Sequence, residues 1–273
     1  MNNLTNNIYS KYRMADTLFS IRTLQGSVMK SLFDVMKEII HDVVLTFDSS
    51  GIRISAMDGA KVSLVHLKLE SESFEEYYCP RSHEIGINVL NMFKLLRSAG
   101  SHDSILFRYL IDEPHMLEIT VQNFEKNSLT KFNMKLIEID STFIEVNDID
   151  FDTIITIPSN YFQRLCRDMS DITDYLRIIK KGDEISFNSD FESSTDFASQ
   201  TTIIGNSSSG SIHTNDQADY DNKFSLKYIT GFCKASGLSS VVELYLKESY
   251  PLILKYSVGS MGSLKFIIAP SLD

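Results

Sequence analysis

Residues 93–108 read FKLLRSAGSHDSILFR, and residues 229–246 read ITGFCKASGLSSVVELYL. Each stretch begins with apolar residues at helical spacing. Each then places a cation three residues before a glycine, Arg97 before Gly100 and Lys234 before Gly237, and ends in a short β-type run. A glycine at that point stops a helix, because it accepts the left-handed conformation of a C-terminal cap. The two stretches lie about half the chain apart. A repeat that long marks duplicated domains, not a solenoid.

Working outward, the first half carries a strand at Leu18–Arg22 and a helix over Gly26–Ile40, with Val28, Met29, Leu32, Val35, Met36, Ile39 and Ile40 on its apolar face. Strands follow at Val43–Asp48, Ile52–Met57 and Val62–Leu69, with Asp48-Ser49-Ser50-Gly51 as a hairpin turn. A helix at Asn88–Ser98 precedes strands at Ser104–Arg108, Met116–Gln122 and Lys131–Ile137. The second half repeats the order. A strand at Ile154–Ile157 leads through Pro158 into a helix at Tyr161–Ser170, then a hairpin turns at Lys181-Gly182-Asp183. A helix at Leu226–Ala235 precedes strands at Val241–Lys247, Leu252–Val258 and Leu264–Ala269. The expected class is α+β, with two duplicated domains of two helices and eight or nine strands each. Residues 1–16 read as a flexible arm, 17–137 and 151–273 as the domains, and the acidic segment 138–150 as their connector. Residues 190–223, rich in Ser, Asp, Thr and Asn, read as mostly long mobile loop.

Hydrophobic residues at 43% and charged residues at 23% exclude wholesale disorder. No apolar run approaches the ~20 residues that span a bilayer, so no membrane role is expected. Cys79, Cys166 and Cys233 are an odd, scattered set that reads as reduced thiols. The six histidines show no ligand spacing with one another or with cysteine, so no metal is expected. No phosphate-binding glycine loop exists, and His102-Asp103-Ser104 reads as a turn after a helix, not a catalytic triad. Neither an enzyme nor a cofactor is expected.

The net charge of −10 argues against nucleic acid until the distribution is considered. The four helical segments carry Lys30 and Lys37, Lys94 and Arg97, Arg164 and Arg167, and Lys227 and Lys234. Each pair is three or seven residues apart, which puts both members on one helical face. The segments hold eight basic and four acidic residues, and the second helix of each half holds no acid. An acidic chain has thus concentrated its cations on matching helices of two domains. Any one pair is as readily an ordinary solvated face; four in a duplicated arrangement point to a polyanion. Binding of this kind would be sequence-independent and sensitive to salt.

At Gly51–Val65 the chain contains Ala56-Met57-Asp58, then Val62, Leu64 and Val65. This run resembles the proliferating cell nuclear antigen family, the eukaryotic sliding clamps. Further matches fall in order at Phe74–Cys79, Lys94–Gly100, Arg164–Ser170, Pro251-Leu252 and Met261–Pro270. The resemblance covers residue 17 onward. It implies a homotrimeric ring whose helices line a hole around duplex DNA, with antiparallel sheets outside. Lys30, Lys37, Lys94, Arg97, Arg164, Arg167, Lys227 and Lys234 would then be the DNA contacts. It further implies a processivity factor for DNA polymerase and a docking platform for replication and repair proteins with short motifs. It also implies a clamp loader as a partner, and work in a nucleus or, if the source is viral, in a cytoplasmic replication factory. The partner-peptide pocket would comprise Met57, Lys61, Val62, Leu64, Ile144, Val146, Pro251, Ile267, Ala269 and Pro270. Without the resemblance, Met57 and Leu64 would read as plain strand packing.

The chain departs from the family pattern in places. A lysine that the family can modify falls at Gly182, beside Lys180 and Lys181. The glycine-rich edge strand that joins subunits corresponds to Phe191–Gln200, which lacks those glycines, whereas Phe132 matches an aromatic position on the facing strand. Two alternatives keep the fold. One is a subunit of a heterotrimeric checkpoint-type clamp, the other a clamp-like transcription factor that does not encircle DNA.

Overall fold

The structure is a computed structural model that describes residues 16–140, 144, 146, 149–182, 184–189, 199–205, 210–214 and 219–271. These residues divide into two compact units. The first falls within Met1–Lys37, His41–Ile54 and Lys68–Thr142, the second within Glu38–Ile40, Ser55–Leu67 and Phe143–Asp273.

In chain order the first half forms β1 (Thr17–Thr23), α1 (Gly26–Met36), β2 (Asp42–Asp48), β3 (Gly51–Met57), β4 (Ser63–Glu70), β5 (Glu76–Tyr78) and β6 (His83–Asn88). It continues with α2 (Val89–Leu96), β7 (Asp103–Leu110), β8 (Met116–Asn123) and β9 (Ser128–Lys135). The second half forms β10 (Thr153–Pro158), α3 (Ser159–Ser170), β11 (Tyr175–Lys181), β12 (Glu184–Ser189), β13 (Gln200–Ile204), β14 (Ser211–Thr214) and β15 (Tyr220–Ser225). It ends with α4 (Leu226–Phe232), β16 (Val241–Leu246), β17 (Leu252–Val258) and β18 (Gly262–Ile268).

In the first unit one sheet runs β5-β1-β7-β8-β9, and β2 pairs antiparallel with both β3 and β6. Asp48 stands opposite Gly51, as the hairpin reading requires. Glycine is needed there: Gly51 has φ +145, and an added Cβ would come within 1.9 Å of the Leu69 carbonyl oxygen. Helix α1 buries Met29, Leu32, Phe33, Val35 and Met36, and α2 buries Val89, Met92 and Leu96. The Asn88 side chain caps α2 by accepting the Asn91 N–H at 3.0 Å. Under the sheet, the rings of Phe19 and Phe47 stack at 4.3 Å.

In the second unit one sheet runs β14-β10-β16-β17-β18, with Ser63–Leu67 of β4 beside β18; another runs β13-β12-β11-β15. This explains why part of the first half belongs to the second unit. Helix α3 buries Phe162, Leu165, Cys166 and Met169, and α4 buries Leu226, Ile229 and Phe232. Phe232 stacks on Phe266 of β18 at 4.6 Å. Each fully buried Leu, Ile or Phe stabilises its unit by roughly 1.5–3 kcal/mol, so the helices are held by their apolar stripes and leave the charged stripes outward.

Two expectations need correction. Within residues 190–223 the described residues form β13, β14 and the start of β15, three strands that the sequence reading did not anticipate, and residues 190–198, 206–209 and 215–218 lie outside the described residues. These strands are short and polar, and they are stabilised by cross-strand pairing such as Phe187 with Thr202, Ile155 with Ile212, and Leu176 with Phe224. Local composition does not register such partners. Helices α1 and α4 also end earlier than the periodicity suggests. Lys37 is the C-cap of α1, and Lys234 lies on a 3-10 turn, Cys233–Gly237, that follows α4.

A buried ion pair ties β7 to β8. Arg108 Nε donates to Glu118 Oε1 at 2.8 Å, and both side chains are nearly enclosed. Replacing Glu118 with Ala removes the paired carboxylate from a buried guanidinium, so unfolding in urea should require about 3 kcal/mol less free energy. The double variant Arg108→Met, Glu118→Leu should lose far less. Equal losses in the two proteins would show that the charge pairing contributes nothing.

Candidate nucleic-acid interface and partner-docking pocket

The eight helix cations divide equally, with Lys30, Lys37, Lys94 and Arg97 in the first unit and Arg164, Arg167, Lys227 and Lys234 in the second. Lys94, Arg97, Arg164, Arg167 and Lys227 are exposed, and Lys30 is half-buried. Lys94 lies in the last turn of α2 and Arg167 in the last turn of α3, where the partial negative charge of a helix C-terminus favours a cation. Two of the eight are already engaged. Lys37 Nζ lies 2.9 Å from Asp34 Oδ1 and 4.8 Å from the centre of the Phe93 ring. Lys234 Nζ lies 2.8 Å from Glu38 Oε2. Among the described residues, none of the other six is in an ion pair. Those six are the cations available to a phosphate.

All ten residues expected in the pocket belong to the second unit. Met57 ends β3 and is 43% exposed, so its side chain is open to a partner. The turn Asp58–Val62 returns the chain to β4, and the Ala269 N–H donates to the Val62 carbonyl at 3.2 Å. That bond brings Ala269 and Pro270 beside Val62. Leu252 pairs with Ile268, which puts Pro251 at the same end of the sheet. Ser55 Oγ donates to the Ile144 carbonyl at 2.5 Å, tying Ile144 to β3. Ile144 and Val146 are half-buried. Leu64 is the exception: at 8% exposure it is a packing residue of β4.

Three aromatic residues adjoin this set that the sequence reading missed. Phe151 meets Tyr245 edge-on at 5.2 Å and Tyr250 at 6.4 Å. Tyr245 belongs to a cross-strand row, Ile154–Tyr245–Ile253–Ile267, that ends at a pocket residue. Its hydroxyl donates to Glu243, and Lys255 Nζ lies 3.0 Å from Glu243 Oε2. Burial raises the Tyr245 pKa, and the hydrogen bond to Glu243 adds to it. Burial alone would raise that of Glu243, but its bonds to Tyr245 and Lys255 override this and hold it low. The available signal was a lone Phe directly after the acidic segment and a Tyr directly before Pro251.

Two sheet edges complete the candidate surfaces. Phe132, half-buried on β9, pairs with Ile119, and β9 is the outer strand of its sheet. Residues 191–198 of the expected partner edge lie outside the described residues, and the edge strand itself is β13, beginning at Gln200. Its Ile203 is 60% exposed. Beside it opens a cleft of about 520 Å³, lined in part by Ile157, Pro158, Tyr161, Arg164, Ile203 and Ile212. Arg164 therefore lines the cleft next to the β13 edge, a different setting from that of the other free cations. Lys180 is fully buried, whereas Lys181 is exposed.

Comparison with known proteins identifies the family. Residues 18–143 match the family model "Proliferating cell nuclear antigen, N-terminal domain", and residues 145–271 match "Proliferating cell nuclear antigen, C-terminal domain". The chain is 75% identical over 258 residues to "Probable DNA polymerase sliding clamp 1" of Paramecium bursaria Chlorella virus 1, an alignment covering 94% of this chain and 98% of that protein. With two clamp domains matched in order and a relative this similar along nearly its whole length, the chain belongs to the proliferating cell nuclear antigen family.

Proposed function

We propose that this chain is the subunit of a homotrimeric DNA sliding clamp, a non-enzymatic processivity factor for DNA polymerase. The observation that carries the reading is the concentration of exposed cations on matching helices of two domains in a chain of net charge −10. A closed ring does not need tight binding, because topology keeps it on the duplex. Weak phosphate contacts, read without base specificity, leave it free to slide. Lys30, Lys94, Arg97, Arg167 and Lys227 are the principal phosphate contacts in this reading. Lys37 and Lys234 contribute after exchanging a carboxylate partner for a phosphate. The apolar set around Met57, Val62, Ile267 and Pro270, extended by Phe151 and Tyr250, receives short docking segments of the polymerase and of other replication and repair proteins. Residues 138–150 serve as the interdomain connector beside that pocket, and a clamp loader opens the ring. The relative from a virus favours work on a viral genome, in a nucleus or in a cytoplasmic replication factory.

Self-association would join the β9 edge of one copy to the β13 edge of the next. It would cover Ile203, and Arg164 would support that contact. Exposed strand edges with apolar side chains invite such pairing. A heterotrimeric clamp remains the second reading, because Phe191–Gln200 lacks the glycines of the family's edge strand. Native mass separates the two. The purified protein should run near three times its 31.0 kDa chain mass, and the double variant Phe132→Asp, Ile203→Lys should run as a monomer. A wild-type monomer at micromolar concentration would rule out the homotrimer.

The phosphate contacts are tested by reversing Lys94, Arg97, Arg167 and Lys227 to Glu. These side chains are solvated and unpaired, so unfolding free energy should change by less than about 0.5 kcal/mol per site. Stimulation of DNA synthesis should be lost at physiological salt, while peptide docking persists. A folded variant that stimulates normally would show that these helices do not face DNA.

A further inference from the structure

The docking pocket proposed above depends on one turn, and that turn depends on one carboxylate. Residues Asp58–Val62 join β3 to β4, and the turn is closed by Asp58 N–H donating to the Ser63 carbonyl at 2.9 Å. Inside it, Lys61 N–H donates to the Asp58 carbonyl at 3.0 Å, and Lys61 takes φ +58, a conformation unfavourable for a residue with a Cβ. The Asp58 side chain offsets this cost. Its Oδ1 accepts the N–H groups of Val62 at 2.9 Å and Ser63 at 2.6 Å, and its Oδ2 accepts that of Ala60 at 3.0 Å. Burial would raise the Asp58 pKa, but these backbone bonds outweigh it and keep the carboxylate ionised.

One further donor comes from elsewhere in the second unit. Tyr228 Oη, on helix α4, donates to Asp58 Oδ2 at 3.3 Å. The Tyr228 ring lies 6.4 Å from Phe232, which stacks on Phe266, the neighbour of pocket residue Ile267. The hydroxyl therefore reaches the turn from a helix that is anchored in the core.

We propose that Asp58 and Tyr228 form a positioning pair for the docking pocket. Tyr228 holds the carboxylate, and the carboxylate holds the turn that presents Met57, Lys61 and Val62 to the partner segment. This rests on the pocket reading above. Tyr228 acts through Asp58 and touches no partner. The chemistry requires a carboxylate, since both oxygens accept. In the Asp58→Asn variant an NH₂ group would replace one acceptor and face N–H or O–H donors.

The test uses the assembled clamp and a fluorescein-labelled synthetic peptide copying the polymerase's docking motif. Binding is followed by anisotropy for wild type, Tyr228→Phe, Asp58→Asn, the double variant, and Met57→Ala as a check on the pocket itself. Tyr228→Phe should weaken binding by about three- to tenfold and Asp58→Asn by more than about tenfold. The double variant should bind no more weakly than Asp58→Asn alone, because both changes break the same linkage. In Tyr228→Phe the amides of Ala60, Val62 and Ser63 should exchange hydrogen faster, with melting temperature and native mass unchanged. Wild-type affinity in Tyr228→Phe, or losses that multiply in the double variant, would overturn the positioning pair while leaving the pocket intact if Met57→Ala still weakens binding. Unchanged binding in Met57→Ala would overturn the pocket, and the pair with it.

Discussion

The constraint on the proposed function is repulsion between an acidic chain and an acidic ligand. A protein of net charge −10 meets DNA only if its negative charge is kept away from the phosphates. In the proposed reading the chain does this by segregation. Its helices bury apolar stripes against the sheets and turn Lys94, Arg97, Arg167 and Lys227 to solvent, and α2 and α4 carry no acid at all. Because the domain is duplicated, the solution is used twice. Screening at physiological salt reduces such exposed attractions to short range, which suits a ligand that must be held loosely.

The partner side follows different physics. Around Met57 the surface is apolar, and its elements are brought together by backbone hydrogen bonds such as Ala269 to Val62. Strand ends supply the apolar groups, and the Asp58 turn supplies the shape. The two proposed functions would rest on separate chemistry, so charge changes on the helices need not disturb the pocket. The tie from Tyr228 to Asp58 is the exception, since it joins a helix bearing Lys227 to the docking turn.

Much of this was legible in the sequence because it depends on local periodicity. The α1 and α3 stripes and the Asp48–Gly51 hairpin rest on residues close together in the chain, whereas Gly100 and Gly237 lie beyond the helix ends and take no left-handed conformation. What the sequence did not show shares a cause. Strands β13 to β15 are stabilised by distant partners, so a polar stretch read as loop. Lys37 and Lys234 look like their neighbours in sequence, yet Asp34 and Glu38 engage them in space. Leu64 and Met57 look equally apolar, but only Met57 emerges. Phe151 gains its place from Tyr245 and Tyr250, nearly a hundred residues away.

The central claim is that the chain works by enclosing DNA, not by gripping it. The most direct measurement loads the clamp with its loader onto nicked circular plasmid, cuts half of the sample once with a restriction enzyme, and gel-filters both halves at moderate salt. Enclosure requires that the clamp co-elute with the circle and leave the linear molecule through its ends. Equal retention on the two forms would contradict the account, because binding that ignores DNA ends is held by affinity and not by topology.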